Sequence, residues 1–254
     1  MSQNELTICG LNTVETLVRI HPEHILRLFF TKETAPRFGE VCQILAKQKK
    51  VYRLVPEDEL ERLSKTPHHG GVAAVITTTP LRNPSLELVS TWSSTQKLIL
   101  ALDGVSNSHN LGAIVRSAAF LGIQIILVQA PPKNSDSLLT PTLWRIAEGG
   151  MEFVQLWFVS KLDQWLQQLK TSELASHFLI VAADQNAPIP IQKFKREKIK
   201  TRVPLVILGN EERGISKAVH RLAETHILIP GTKRIDSLNV AHAASIIMWE
   251  LTKA

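Results

Sequence analysis

The stretch from Pro204 to Leu251 constrains this chain most. It reads PLVILGNEERGIS, then a short helix-like run, then HILIPGTKRIDSLNVAHAASIIMWEL. Leu205-Val206-Ile207-Leu208 is continuously apolar and bounded by Pro204 and Gly209, the pattern of a buried parallel strand. It runs into Gly209-Asn210-Glu211-Glu212-Arg213-Gly214. In an open α/β sheet, a Gly-rich turn at the carboxyl end of a strand is where a ligand sits. The G-x-x-x-x-G spacing is that of a phosphate loop, but Ile215-Ser216 stands where that loop needs Lys-Ser. Glu211 and Glu212 would also repel a triphosphate. Bare backbone beside acids suits a ligand with ribose hydroxyls and positive charge, as in S-adenosylmethionine. Taken alone, the same residues also make an ordinary αβ turn with solvated acids.

Two further turns follow. Ile227-Leu228-Ile229-Pro230-Gly231 is the second, and Asp236-Ser237-Leu238-Asn239 opens the last helix. Ser237 and Asn239 are both good N-cap residues, and capping is the simplest role for each.

Upstream, strands and helices alternate from Lys97 onward. Leu98–Leu102, Ile123–Gln129, Phe153–Trp157 and Phe178–Ala182 read as strands. Leu111–Leu121, Thr142–Glu148 and Leu162–Leu169 read as helices, with Asn110 at a cap and Gly122 at a stop. This period predicts a mostly parallel sheet with helices on both faces. Residues 1–77 form a smaller α/β unit. Asn12-Thr13-Val14-Glu15 resembles a capping box there, His24–Phe30, Val51–Val55 and Gly71–Thr77 read as strands, and Ala35–Lys50 reads as an amphipathic helix. Residues 78–96, rich in Ser, Thr and Pro, read as a linker with a helical turn after Pro84.

With 254 residues, 44% of them hydrophobic and 20% charged, a packed core is expected. No apolar run approaches the roughly 18 residues of a membrane span, and the N-terminus lacks a signal pattern. Cys9 and Cys42 have no metal spacing and point to a reducing compartment, so the expected location is cytoplasmic. His68-His69 lacks accompanying ligands, and no metal is expected. The net charge of +6 is uneven: Lys193–Arg202 (KFKREKIKTR) holds six basic residues and one acid. Such a run is either a solvated loop or a holder of nucleic-acid phosphates. Within the apolar helix LGAIVRSAAFLG, Arg116 is the odd residue. It is either a surface arginine or a guanidinium aimed at an anionic or ribose group. No G-x-G-x-x-G occurs, which argues against a nicotinamide dehydrogenase.

Three segments in order, LDGVSNSHNLGAIVRSAAFLG (102–122), LVILGNEERGIS (205–216) and IPGTKRIDSLNVAHA (229–243), resemble the signature motifs of the SpoU (TrmH-type) RNA ribose 2′-O-methyltransferases. The resemblance covers residues 97–254. Residues 1–77, with the ending HHGGVAA, resemble the L30e-like RNA substrate-binding domain of the ribosomal-RNA guanosine branch. What the resemblance implies is a SPOUT-type α/β domain with a deep C-terminal trefoil knot. It implies S-adenosylmethionine as cofactor and a homodimer through the knot. The backbone of Gly209, Ile229 and Leu238 would hold the adenosine, with Leu208, Asn210, Gly214 and Pro230 around it. Glu211, Ser237 and Asn239 would complete the pocket. Asn110 and Arg116 match the catalytic pair, with Glu211, Ser237 and Asn239 beside them. The RNA contacts expected are Arg116, His69, Lys195, Arg196 and Lys198.

The chain departs from the family pattern at Glu212, Gly231 and Lys233, and AEGGMEF (147–153) is looser than the family's small-residue segment. Ribosomal RNA is the expected substrate, with transfer RNA second. A catalytically silent RNA-binding relative is the reading of a different class.

Overall fold

The computed structural model describes residues 4–95, 97–129, 138–194, 201–232 and 234–252. They form two compact units: one of residues 1–80 with 136–153, the other of residues 81–135 with 154–254.

In the first unit, β1 (Asn4–Cys9), β2 (Ile25–Phe30), β3 (Val51–Leu54) and β4 (Val72–Thr78) form a sheet of order β1-β4-β2-β3. β4 runs antiparallel to both neighbours, and β3 runs parallel to β2. Helices α1 (Leu11–Ile20), α2 (Gly39–Lys47) and α3 (Glu57–Ser64) alternate with the strands. The expected capping box is absent. Gly10, at φ 105°, holds the N-cap position of α1 with no side-chain bond. Asn12 and Thr13 serve another purpose: Thr13 Oγ1 donates to the Trp144 carbonyl (3.1 Å), and Asn12 Nδ2 donates to Glu148 (3.1 Å).

Those partners belong to α6 (Pro141–Ala147), which buries Leu143, Trp144 and Ala147. The alternation of elements runs the second domain unbroken from residue 97. Residues 136–153 nevertheless group with the first unit. Long-range bonds such as Thr13 to Trp144 decide this, and no local pattern encodes them.

The second unit is built on α4 (Leu86–Thr95), β5 (Ile99–Asp103), α5 (Ser108–Leu121), β6 (Ile125–Gln129), β7 (Gln155–Val159), α7 (Leu162–Thr171), β8 (Phe178–Ala183), β9 (Ile189–Pro190), β10 (Val203–Gly209), α8 (Lys217–His220), β11 (Thr225–Leu228) and α9 (Val240–Thr252). Its sheet order is β7-β6-β5-β10-β8-β11-β9, and the pairings are parallel. All five residues of β5 and the first six of β10 are buried. This matches the rule that central parallel strands are covered on both faces.

The stretch expected as a linker contains a ten-residue helix, α4. Its Val89 and Trp92 are buried in the core with Leu162, Trp165 and Phe178. Five of its ten residues are Ser or Thr, which reads as loop. Their hydroxyls instead bond back to helix carbonyls, Ser90 to Glu87 (2.6 Å) and Thr91 to Leu88 (2.7 Å) among them. Two apolar anchors therefore outweigh weak local propensity.

Candidate active site

Three loops meet at the carboxyl ends of β5, β10 and β11. The first leads from β5 into α5. Asn107, not Asn110, caps that helix: its Oδ1 accepts the His109 N–H at 2.8 Å. Asn110 therefore lies inside the first turn of α5, and its side chain reaches the other loops. Its Nδ2 donates to the Glu211 carboxylate, and its Oδ1 accepts from Asn239 Nδ2 at 3.0 Å. One residue from each motif thus enters a single hydrogen-bonded row.

The second loop is the turn after β10. Asn210 N–H donates to the Gly214 carbonyl (3.1 Å), and Gly214 N–H donates back (2.8 Å). Asn210 Oδ1 accepts the N–H groups of Glu212 (3.0 Å) and Arg213 (3.2 Å), while its Nδ2 donates to the Gly104 carbonyl (3.1 Å). The turn closes so tightly that a Cβ on Gly209 would lie 2.1 Å from the Gly214 carbonyl carbon. Glycine is required there for space, and at Gly214 for its φ of 66°. Glu211, Glu212 and Arg213 stand exposed on the rim.

The third loop enters α9. Asn239 is its cap: Oδ1 accepts from Ala241 N–H at 2.9 Å and His242 N–H at 3.4 Å. Ser237 makes no such cap bond and is exposed, as is Leu238 at 44%. Ile229 is half-buried and Pro230 exposed after β11, while Leu208 is buried at the end of β10. Arg116 is exposed on α5.

The remaining expectations fall elsewhere. His69 is only 7% exposed, and its Nδ1 accepts the Gly71 N–H at 3.2 Å. Its ring orders the turn before β4 rather than facing solvent. Lys195, Arg196, Lys198 and Lys233 lie outside the described residues. Among the described residues, His21, Glu23 and His24 of the first unit have ligand-type atoms within 4.8 Å of one another, on an exposed turn. The Asp184–His220 pair (2.9 Å) is a second polar contact absent from the sequence reading. Sequence reasoning also missed Asp103 and Gln129, the last residues of β5 and β6. Each is a polar residue closing an apolar strand, which is the one signal that could have found them.

At the opposite ends of the strands, Arg202 holds Glu224 through two guanidinium nitrogens (2.7 and 2.9 Å) beside a cavity of about 120 Å³. Burial alone would raise the Glu224 carboxyl. The hydrogen bonds from Arg202 and the Ile180 N–H, with the charges of Arg202 and Lys170, outweigh it and hold the group below its ordinary value.

Residues 97–249 match the SpoU rRNA Methylase family, and residues 7–81 match a family described as RNA 2'-O ribose methyltransferase substrate binding. The chain is 31% identical over 246 residues to the 23S rRNA (guanosine-2'-O-)-methyltransferase RlmB of Acinetobacter baylyi, covering 95% of this chain and 94% of that one. It is 31% identical over 263 residues to the uncharacterized tRNA/rRNA methyltransferase YfiF of Escherichia coli O157:H7, covering 98% and 69%. Among solved structures it shares the fold of the SpoU methyltransferase AviRb from Streptomyces viridochromogenes in complex with AdoMet. The TM-score is 0.75 at 19% identity, covering 98% of this chain and 89% of that one.

Proposed function

This chain belongs to the SpoU rRNA methylase family, and from that premise we propose that it transfers a methyl group from S-adenosylmethionine to a ribose 2′-hydroxyl of 23S ribosomal RNA. The observation that carries this reading is the row Glu211–Asn110–Asn239, which ties all three motif loops together. Near-full-length similarity to an RlmB enzyme supports ribosomal RNA as substrate.

The loops suit the cofactor. Gly214 and Gly231 border open space, and Ile235 and Leu238 leave apolar surface exposed at 72% and 44%. A purine could cover that surface, while Gly209, Ile229 and Leu238 offer backbone groups to it. Leu208, Asn210, Gly214 and Pro230 would frame the pocket, and Glu211, Ser237 and Asn239 would bind the polar end. When bound, the cofactor supplies a methyl carbon activated by the sulfonium charge. The protein's share is positioning, worth up to roughly 7–11 kcal/mol. Asn110 orients Glu211 and is itself oriented by Asn239. Arg116 acts as a fixed cation toward the developing 2′-alkoxide or a neighbouring phosphate. A guanidinium stays protonated in proteins, so Arg116 does not take the 2′-hydroxyl proton. That proton passes to water as the new O–C bond forms and the S–C bond breaks, leaving S-adenosylhomocysteine.

RNA is gripped by residues 1–77 as the substrate-binding domain and by Lys195, Arg196 and Lys198. The chain works as a homodimer. The packed helices α5 and α9 support this, since they leave Phe120 (86%), Trp249 (56%) and Ile246 exposed.

The test is titration with S-adenosylmethionine, followed by mapping of 2′-O-methyl groups in 23S RNA from a deletion strain. One nucleotide losing its methyl group and regaining it with purified protein supports the reading. A methyl group lost only from transfer RNA would move the substrate. Cofactor silence even with total RNA present would favour a non-catalytic RNA-binding role.

A further inference from the structure

We infer that Asp103 is a positioning residue for the cofactor turn, acting as the obligatory double acceptor in a part-buried relay. This rests on the methyltransferase reading above. Strands β7, β6, β5 and β10 are consecutive neighbours in the sheet, and a line of hydrogen bonds crosses their carboxyl ends. The Leu162 N–H, at the start of α7, donates to the Gln129 side-chain oxygen at 2.7 Å. Gln129 Nε2 donates to Asp103 Oδ1 at 2.9 Å. Asp103 Oδ2 accepts the Ser216 N–H at 2.8 Å.

Asp103 is 4% exposed, and among the described residues no cation pairs with it. A buried carboxylate held by an amide and a backbone N–H is expensive, so the relay must demand it. The demand follows from polarity. Both ends of the line are backbone N–H donors, whose sense cannot change. An amide accepts on one side and donates on the other, so Gln129 only passes the sense along. A line with a donor at each end needs one group that accepts on both sides. At position 103 a carboxylate does this and an amide cannot.

The relay fixes Ser216, two residues beyond Gly214. A second tie, Asn210 Nδ2 to the Gly104 carbonyl, fastens the other end of the same turn to the end of β5. Together they set where Glu211 stands relative to Asn110. The Asp103 carboxylate bonds to Gln129 and Ser216, and it acts on Glu211 and Asn110 through the turn.

The test exploits the same polarity. Asp103→Asn leaves a donor facing a donor at one junction. Combining it with Gln129→Glu restores every contact: the carboxylate at 129 accepts from Leu162 N–H and from the amide at 103, whose oxygen accepts from Ser216 N–H. Calorimetric titration with S-adenosylmethionine should show about tenfold weakening in Asp103→Asn, as expected for a donor left unmatched at a part-buried junction. Affinity should recover in the double variant. The KM for the cofactor should move in parallel, with a smaller change in kcat.

Equal affinity in Asp103→Asn and the unaltered chain would overturn the inference. So would a double variant no better than the single one, or a lowered melting temperature with unchanged affinity. If Asp103→Asn fails to fold, the double variant decides: folding and binding support the relay, and failure of both overturns it. If the unaltered chain binds no cofactor, the underlying reading falls, and the inference with it.

Discussion

Asn239 donates its side-chain amide to Asn110 Oδ1 at 3.0 Å, across 129 positions of sequence. The same side chain caps α9 through its oxygen. Its two roles use opposite edges and can be separated. Asn239→Asp keeps the capping oxygen and loses the donor to Asn110. Thermal stability should then stay within about 0.5 kcal/mol, while methyl transfer falls roughly 10²-fold through misplacement of Asn110. Asn239→Ala should lose the transfer and also about 1 kcal/mol of stability. Paired measurements of melting temperature and single-turnover methylation check this, and an active Asn239→Asp would remove Asn239 from the site.

Arg116 is exposed on α5, on the helix that carries Asn110. As a fixed cation toward the RNA, it should matter for transfer and not for the cofactor. Arg116→Ala should abolish methylation and leave S-adenosylmethionine affinity unchanged by calorimetry. Equal loss of both would place Arg116 in the cofactor pocket instead.

Glu224 gives the second unit a defined acid response. Its carboxyl is held below the ordinary value of about 4.3. A depressed folded value contributes stability above the unfolded pKa, and that contribution is lost as pH falls through the folded one. The melting temperatures of the unaltered chain and Glu224→Gln should therefore converge as pH falls from 7 toward 3. Parallel curves would show that the Arg202 fork adds nothing through charge. Glu152, in the first unit, has the opposite sign. Burial first, and then the charge of Glu23, hold it above its ordinary value against the opposing His21 and Trp144. Its effect should weaken the fold as pH rises.

What the sequence revealed depended on the range of the signal. The apolar runs of β5 and β10 needed only local pattern, and the tight turn at Gly209 announced itself by glycine spacing. The two caps show the limit. Asn110 and Asn107 are both cap-type residues three positions apart, and only the fold shows that Asn107 caps while Asn110 reaches Glu211. Relationships across the sheet were out of reach. The Asp103–Gln129 contact exists because β5 and β6 are neighbours in register. The anchoring of α6 beside α1 exists because Thr13 finds the Trp144 carbonyl.

Trp92 tests whether α4 is structure or tether. It is 3% exposed, and its ring lies 6.0 Å from that of Trp157. Trp92→Ala should cost about 3–5 kcal/mol, read as a shift in urea midpoint without change in slope. A loss below about 0.5 kcal/mol would show that the helix rests on the core without contributing to it.

Phe120 decides the proposed assembly. At 86% exposed on α5, it contributes almost nothing to the folded unit. Buried in a dimer it would add about 1.5–3 kcal/mol per copy. Phe120→Asp should therefore leave the monomer's fold intact and shift sedimentation from dimer to monomer at micromolar concentration. The melting temperature of the unaltered chain should rise with protein concentration, because association stabilises by mass action, and that of Phe120→Asp should not. A variant that still sediments as a dimer would place the interface away from α5. An unaltered chain that stays monomeric would rule out the second copy as the cover for this helix pair.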